Sequence, residues 1–363
     1  MNRIQGRKKE NFPESEKKRN NPRSDGMKIT AFLISILLLG CLICENVLAD
    51  ENISPIIDAR INRYIKQLKT NKDFHRARIE LIDEGSRAVP CLVATLSSPE
   101  TKPRMKRIII SILGQIKDPE ATDVLVKALK DEDPKIRRAA AKALGKIEDK
   151  KSVPSLKDRT KDDDPNVRLS AVRSLAEIGD PSVADVLIKV LKDNNPNIRL
   201  YAVKGLGKMK YEGAVNEFSR MTDDTSKDVR LAVSRALGSI GKESCVPALS
   251  KLTEDTSIIV EVSAIRALGD IKCKESLNEL LKTADSEDKY ARYYSATGLG
   301  KLGYNEAVPG LARLLNDENT IVRIAAANSL CQIDTKEAKE ALRTVQDDEI
   351  SRVRYIAQRA LKN

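Results

Sequence analysis

The residues best able to do chemistry are few in this 363-residue chain. It contains one histidine, His75, so no second imidazole can converge on a metal or complete a Ser–His–Asp or Cys–His nucleophile. Four of its six cysteines follow the N-terminal apolar segment without Cys-x-x-Cys spacing: Cys91, Cys245, Cys273 and Cys331. We therefore predict that the chain is not an enzyme and that it has no metal site and no cofactor.

Charged residues recur at a fixed spacing that also suggests chemistry. An acidic column precedes a basic column by six residues, and both repeat every 31 residues. The acidic column is Asp131, Asp162, Asp193, Asp224, Asp255, Asp317 and Asp348. The second column is Arg137, Arg168, Arg199, Arg230, Glu261, Arg292, Arg323 and Arg354. Such carboxylates would suit a calcium or substrate ladder, but Asp near a helix N-terminus is also favoured by the helix dipole.

The elements that carry these residues repeat at the same 31-residue period. Its clearest mark is a column of leucines: Leu144, Leu175, Leu206, Leu237, Leu268, Leu299, Leu330 and Leu361. A chain that repeats one supersecondary unit meets the same neighbours in every unit, whereas a single compact domain needs no such period. The period therefore predicts a solenoid.

Each unit reads as two helices joined by a short turn. The segments ATDVLVKALKD and KIRRAAAKALGKI place their apolar residues on one helical face. Asp133 suits the N-cap of the second helix, and Pro134 suits its first position. The cap column continues through Asp164, Asn195, Ser226, Ser257, Asp288 and Asn319. Small residues such as Ala143 and Ser174 form another column, which predicts a close approach of successive second helices.

The motif of turn Asp, Pro and V/I-R-x-x-A-x-x-x-L-G resembles HEAT repeats, specifically the short phycobilisome-lyase-type HEAT-like repeats. DEDPKIRRAAAKALGKI and DDDPNVRLSAVRSLAEIG carry the resemblance most closely. It covers roughly 85–363 and, more weakly, the segment from Ile53. The expected fold is thus an all-α, right-handed α-solenoid of about nine helix-pair repeats.

The resemblance implies that the second helices line the concave surface. It also implies that the Asp and Arg columns form a structural ladder, in which Asp accepts from turn N–H groups and Arg pairs with it. Glu261 is expected to join this ladder between Arg230 and Arg292. Relatives that hydroxylate substrates on a di-iron centre use paired His-Glu motifs, but here His75 is followed by Arg76.

The N-terminus is expected to direct export. Residues 1–26 are a polar extension, and residues 27–49 look like a signal peptide in which Lys28 precedes an uncharged run from Ile29 to Cys44. This run is shorter than the about 20 apolar residues of a membrane span. Cleavage between Ala49 and Asp50 would release the protein to the periplasm or cell envelope.

Two alternatives for the N-terminus stay open. The motif ending at Cys41 resembles a bacterial lipobox, which would make the chain a lipoprotein, and an uncleaved segment would be a single-pass anchor. In both cases the membrane is met only through this N-terminal segment. The solenoid is expected to occupy 50–363, with a degenerate cap at about 53–84 and regular repeats at about 85–363.

Composition describes a mildly basic chain with few aromatic residues. The net charge is +11, with both signs interspersed along the sequence, and aromatic residues make up 3% of the chain. So few aromatic residues argue against stacking platforms for single-stranded nucleic acid.

The outward positions of the second helices predict a groove. A basic row contains Arg173, Lys204, Arg235 and Arg266, and apolar rows toward the C-terminal end contain Val262, Tyr290, Tyr293, Ile324 and Tyr355. A solvated face and ordinary interhelical packing remain alternatives, although contiguous exposed apolar area usually marks a partner site.

These features predict an exported, non-enzymatic scaffold that binds a protein or an extended peptide with acidic residues on its concave surface. The family resemblance suggests a pigment-attachment lyase or its chaperone as one alternative, although fold is a weak guide to activity. Nucleic-acid binding is the second alternative, which export and the interspersed acidic residues oppose.

Overall fold

The structure, a computed structural model, describes residues 53–70 and 73–362. Contacts between Cα atoms divide the chain into two units, Met1–Arg63 and Tyr64–Asn363. The described part of the first unit belongs to helix Ile53–Gln67, and the second unit holds the repeats. Within the described ranges there is no β-strand, and no helix there has the length and apolar character to cross a membrane.

Helices Ile53–Gln67 and Phe74–Asp83 are followed by pairs of helices, which we call the A and B helix of each repeat. The A helices are Val89–Ser97, Thr122–Ala128, Val153–Arg159, Ala184–Val190, Val215–Arg220, Val246–Leu252, Lys274–Thr283, Val308–Leu314 and Lys336–Arg343. The B helices are Pro103–Ile116, Pro134–Ile147, Pro165–Ile178, Pro196–Lys208, Lys227–Ile240, Ile258–Asp270, Lys289–Leu302, Thr320–Ile333 and Ser351–Lys362. The all-α solenoid predicted from the repeat period is confirmed.

Side-chain caps begin many of the B helices. Asp133 accepts a hydrogen bond from the Lys135 N–H at 2.8 Å, which satisfies one of the free N–H groups at the helix start. Asp164, Asn195, Asp288 and Asn319 do the same in their repeats. Ser226 and Ser257 occupy the same place in the sequence but make no capping bond through their side chains, so the expectation was wrong for these two.

The leucine column forms the centre of the core. Leu144, Leu175, Leu206, Leu237, Leu268, Leu299 and Leu330 are fully buried. Leu361, in helix Ser351–Lys362, is half-buried. The predicted leucine column therefore lies in the core over seven successive repeats.

Successive B helices pack directly against each other, whereas successive A helices touch much less. Small residues permit this approach. A Cβ on Gly269 would lie 2.7 Å from the Gly298 Cα, and a Cβ on Gly145 would lie 2.7 Å from the Ser174 Cβ. We call the solvent-exposed side of the B helices the B face.

One repeat departs from the pattern. Its B helix starts at Ile258 and ends at Asp270, where Ile271 turns the chain into an extended conformation. The next A helix, Lys274–Thr283, is longer than most and follows without the short 3-10 turn that precedes most other A helices.

Candidate partner-binding site

The Asp and Arg columns bond successive repeats together. Arg137 donates from Nε and Nη2 to the Asp162 carboxylate at 2.9 and 2.8 Å, while its Nη1 donates to the Asp131 carbonyl at 2.9 Å. The same two-pronged pair joins Arg199 to Asp224, Arg230 to Asp255, and Arg292 to Asp317. The looser pairs of this column are Arg168 with Asp193 at 3.5 Å and Arg323 with Asp348 at 3.2 Å. Each arginine thus ties its own turn to the turn of the next repeat.

The carboxylates of this ladder are occupied by protein donors. The Asp255 carboxylate accepts from Arg230 and from the Ser257 N–H at 2.8 Å, and its side chain is 4% exposed. The hydrogen bond from Arg230 lowers the pKa of Asp255, although burial opposes the shift. In the described ranges, no group of three or more His, Cys, Asp or Glu side chains is placed to hold a metal ion.

Glu261 does not join the ladder as expected. Ser286, which lies near the Glu261 side chain, stands where other repeats have the ladder Asp, and among the described residues Glu261 makes no ion pair. Burial raises the pKa of Glu261, and the nearby Asp288 raises it further. The ladder is therefore interrupted between Arg230–Asp255 and Arg292–Asp317.

The predicted groove residues lie on the B face. Arg173, Lys204, Arg235 and Arg266 are exposed, as are Tyr290 and Tyr355. Val262, Tyr293 and Ile324 are half-buried. None of the nine is fully buried in the core.

A cleft of about 660 Å³, which we call the apolar cleft, gathers part of this set. Its walls come from B helices Lys227–Ile240, Ile258–Asp270 and Lys289–Leu302 and include Arg235, Arg266, Val262, Tyr290, Ile258, Ile259 and Tyr294. Tyr293, Ile324 and Tyr355 are not among its lining residues. Ile259 and Tyr290 are 58% and 47% exposed, which is unusual for large apolar side chains that adjoin one cavity.

A second cleft of about 510 Å³, the middle cleft, adjoins the first. Leu200, Lys204 and Leu231 line it, and Arg235 belongs to both clefts. The two clefts therefore form one open surface across four consecutive B helices, Pro196–Lys208 to Lys289–Leu302.

Aromatic rings hold several cations of the basic row in place. The charged ends of Arg173 and Lys204 each lie 5.3 Å from the centre of the Tyr201 ring, and Arg266 lies at the same distance from the Tyr294 ring. Arg235 makes no ion pair within the described part of the chain. The guanidinium of Arg235 is thus available to an anion at the point where the two clefts meet.

The B helices are depleted in acidic residues. Their sequences contain Glu177, Asp228, Glu261 and Asp270 as the acidic side chains, against many more lysines and arginines. Glu177 pairs with Arg173 at 2.8 Å, and Asp270 pairs with Lys301 at 2.8 Å. The two signs alternate along the sequence, but the fold sorts them and leaves the B face basic.

The remaining candidate residues lie apart from this surface. His75 is exposed and its ring stands edge-on to Phe74 at 5.4 Å. Cys245 is a buried free thiol whose pKa is raised by burial. Cys41, Ala49 and Asp50, on which the export hypothesis depends, are outside the described residues.

Sequence reasoning missed Ile258, Ile259 and Tyr294 as cleft residues. Ile259 belongs to an outward row that is polar in most earlier repeats, and Ile258 stands where proline begins several B helices. An apolar side chain at a position that is polar in the neighbouring repeats is the signal that would have identified them.

The comparisons with known proteins agree with this architecture. The family profile described as HEAT repeats matches residues 89–168, 153–225, 218–288 and 277–362. The resemblance to HEAT repeats inferred from the turn motifs is thereby confirmed. No curated protein matches the chain.

Solved structures show the same fold at low sequence identity. A crystal structure of an engineered protein is 22% identical, with a TM-score of 0.54, and the match covers 83% of this chain and 98% of that one. Human deoxyhypusine hydroxylase in complex with glycerol is 23% identical over 78% of this chain and 96% of its own, with a TM-score of 0.32. The complex of CpcE and CpcF of phycocyanin lyase from Nostoc is 24% identical over 74% and 93%, with a TM-score of 0.31. At these identities the matches show the fold alone, and the two lower TM-scores carry no argument.

Proposed function

We infer that this chain, which belongs to the HEAT-repeat family, is a non-enzymatic scaffold that holds a protein or an extended peptide on its B face. The observation that carries this proposal is the continuous surface of the middle and apolar clefts. Such a surface is long and open, which suits a chain laid across several helices better than a small molecule enclosed in a deep pocket.

The chemistry of the surface supports a protein ligand. Tyr290 and Tyr294 supply apolar area with polar tips, which is typical of residues that dominate protein interfaces. Arg235 and Arg266 stand beside them, so acidic side chains of a partner would be steered toward the apolar contact. The closer packing of the B helices also favours curvature toward the B face, as the family resemblance implies.

Selection from a random peptide library tests this proposal. The full chain and a variant with Ile259→Ser and Tyr290→Ser would be used as baits, with Ile79→Ser as the matched control. Ile79 and Ile259 are equally exposed, at 58%, but Ile79 lies outside the clefts. We expect the selected peptides to bind the wild type and the control variant but not the double variant. Peptides that bind all three proteins equally would contradict the proposal.

We propose further that the scaffold acts outside the cytoplasm. The support is the sequence of residues 27–49, with its charged start, uncharged run and small residue before Asp50. N-terminal sequencing of the native protein should find Asp50 as the first residue in an envelope or periplasmic fraction. A native chain that begins at Met1 and fractionates with the cytoplasm would refute export, and acylation lost in Cys41→Ser would identify a lipoprotein.

A further inference from the structure

A second charged feature of the B face lies outside both clefts, toward the N-terminal repeats. Arg138, Lys142 and Lys146 follow one another at intervals of one helical turn on B helix Pro134–Ile147, and all three are exposed. Arg107 holds the position equivalent to Arg138 on the preceding B helix, 31 residues earlier in the sequence. We call these four residues the basic patch. Helices Pro103–Ile116 and Pro134–Ile147 contain no acidic residue in their sequences.

The cations of the basic patch lack the partners that neutralise other charges of this chain. In the described ranges, Arg138, Lys142 and Lys146 form no ion pair, although Arg137 of the same helix is bonded to Asp162. Like charges one turn apart repel each other and destabilise a helix. Partial burial lowers the pKa of Lys142, and repulsion from Arg138, Arg173 and Lys146 lowers it further. An anionic ligand would relieve this repulsion.

Two regions of different chemistry therefore share one face. The apolar side chains of the apolar cleft begin on B helix Ile258–Asp270, four repeats beyond the helix that carries the basic patch. Packed helices lie about 8–10 Å apart, so the two regions are separated by about 30–40 Å. An extended chain advances about 3.3–3.6 Å per residue and would cross that distance in about 10–12 residues.

We propose that the B face recognises a bipartite peptide, in which an acidic segment on the basic patch is joined to an apolar segment in the apolar cleft by a spacer of about 10–12 residues. The middle cleft would carry the spacer, with Lys204 and Arg235 along its length. This inference rests on the proposed function, because it assigns the ligand class and its spacing to the same surface.

Duplex nucleic acid is the competing ligand for a basic surface, but the observations favour a peptide. A phosphate backbone would use the basic patch and leave Ile259 and Tyr290 without a partner, although these are among the most exposed large apolar side chains described. A peptide uses both regions in one binding event. Linking two weak contacts raises the affinity of the peptide because the second contact forms at a high effective concentration. This gain requires a spacer long enough to reach both sites.

Binding of synthetic peptides to the full chain tests the proposal by fluorescence anisotropy. The probe carries Leu-Tyr-Leu-Phe at one end and six glutamates at the other, joined by a Gly-Ser spacer of about 11 residues, the length that the helix spacing predicts. Comparison peptides have a spacer of about two residues, too short for the same span, or glutamine in place of every glutamate. Each peptide is synthesised in two versions, one with the apolar segment at its N-terminus and one with the apolar segment at its C-terminus. We expect the long-spacer glutamate peptide to bind at least about tenfold more tightly than either comparison peptide.

Charge reversal assigns the gain to the basic patch. Arg138→Glu with Lys142→Glu should abolish the advantage of glutamate over glutamine. Lys127→Glu with Lys189→Glu, which changes the net charge equally at exposed A-helix positions, should preserve it. The bipartite assignment would be overturned if the glutamate peptide bound more tightly than the glutamine peptide regardless of spacer length. It would also be overturned if this difference in affinity persisted in the Arg138→Glu, Lys142→Glu variant.

The failures of the two proposals are distinguishable. If the glutamine peptide binds and Tyr290→Ser weakens it, the binding function stands, and a lack of gain from glutamate overturns only the bipartite inference. If the Tyr290→Ser substitution changes the binding of none of the peptides, the proposed function fails as well.

Two other ligands give distinct outcomes. A duplex oligonucleotide that binds through Arg138 and Lys142, while the glutamate peptide does not bind, would assign the basic patch to nucleic acid and overturn the inference. Self-association abolished by Tyr290→Ser would assign the cleft to a second copy of the chain.

Discussion

Arg230 and Asp255 join two successive repeats through two parallel hydrogen bonds, 2.6 Å from Nε and 2.9 Å from Nη2 to the two carboxylate oxygens. The pair is nearly enclosed, with side chains 14% and 4% exposed. Arg230 also donates to the Asp224 carbonyl at 2.8 Å, so its guanidinium orients the turn of its own repeat. Such planar two-pronged pairs combine geometric specificity with strength. The ladder therefore sets the register between repeats as well as stabilising them.

Arg230→Ala should destabilise the chain by about 3 kcal/mol, because it leaves the Asp255 carboxylate enclosed without its cation. Urea unfolding followed by circular dichroism measures the change. Lys282→Ala is the control, since Lys282 pairs with Glu254 at 2.6 Å in an exposed position and surface pairs contribute little. Equal losses in the two variants would mean that the ladder is no more than a surface ion pair.

Completing the interrupted ladder should stabilise the protein. Glu261→Arg with Ser286→Asp restores the two residue types that pair in the neighbouring repeats, and we expect a gain of about 0.5–2 kcal/mol, as for other consensus changes. Glu261→Arg alone should gain less, because Ser286 offers no carboxylate. Thermal melts of the single and double variants provide the comparison. A double variant no more stable than the single one would show that this repeat does not stack in the common register.

Core truncation should depend on position in the array. Leu206→Ala and Leu237→Ala remove fully buried side chains between two neighbours and should each cost about 2–5 kcal/mol. Leu361→Ala should cost less, since that side chain is half-buried in the terminal helix. Because repeat arrays behave as coupled one-dimensional units, damage in the middle is also expected to split the unfolding transition. Denaturant melts with equal losses at Leu237 and Leu361 would argue against this stacking.

Stability should fall in acid through the ladder carboxylates. The pKa of Asp255 is lower in the folded chain than in the unfolded chain, where it is about 3.9. Its contribution is therefore fully present above that unfolded value and is lost as the pH falls through the lower folded value. Urea midpoints measured across acidic pH should decline in the wild type and decline less in Asp255→Asn. An unchanged slope in Asp255→Asn would remove this residue from the acid sensitivity.

Much of the fold was predictable because each repeat carries its own local signals. Pro134 and Asp133 mark a helix start, and the leucine column marks the buried face, so helix pairs and their stacking follow from spacing. The capping of Ser226 and Ser257 was not predictable, since a suitable residue type does not determine the side-chain conformation. Glu261 was misread for a related reason, because the matching loss of Asp at Ser286 becomes informative only when the two positions are known to face each other.

The sequence predicted which helix face carries the candidate binding residues, but it did not predict where the cleft ends. Periodicity placed Arg235, Arg266 and Tyr290 on one face, and they do line one cleft. The same rows also contain Ile324 and Tyr355, which that cleft does not include. Periodicity identifies the face of a helix, whereas the extent of a cavity depends on how three neighbouring helices are spaced. That spacing responds to local irregularities such as the early end of the B helix at Asp270.

Site-specific photo-crosslinking tests the central claim most directly. A photoreactive residue placed at position 259 in the apolar cleft, or at the equally exposed position 79, is irradiated in cells that produce the native chain. Our account predicts a discrete covalent adduct at position 259, lost when Arg235→Glu and Tyr290→Ser are added, and no such adduct at position 79. Adducts of the same kind from both positions, or an adduct at position 259 that persists in the variant, would contradict a partner site on the B face.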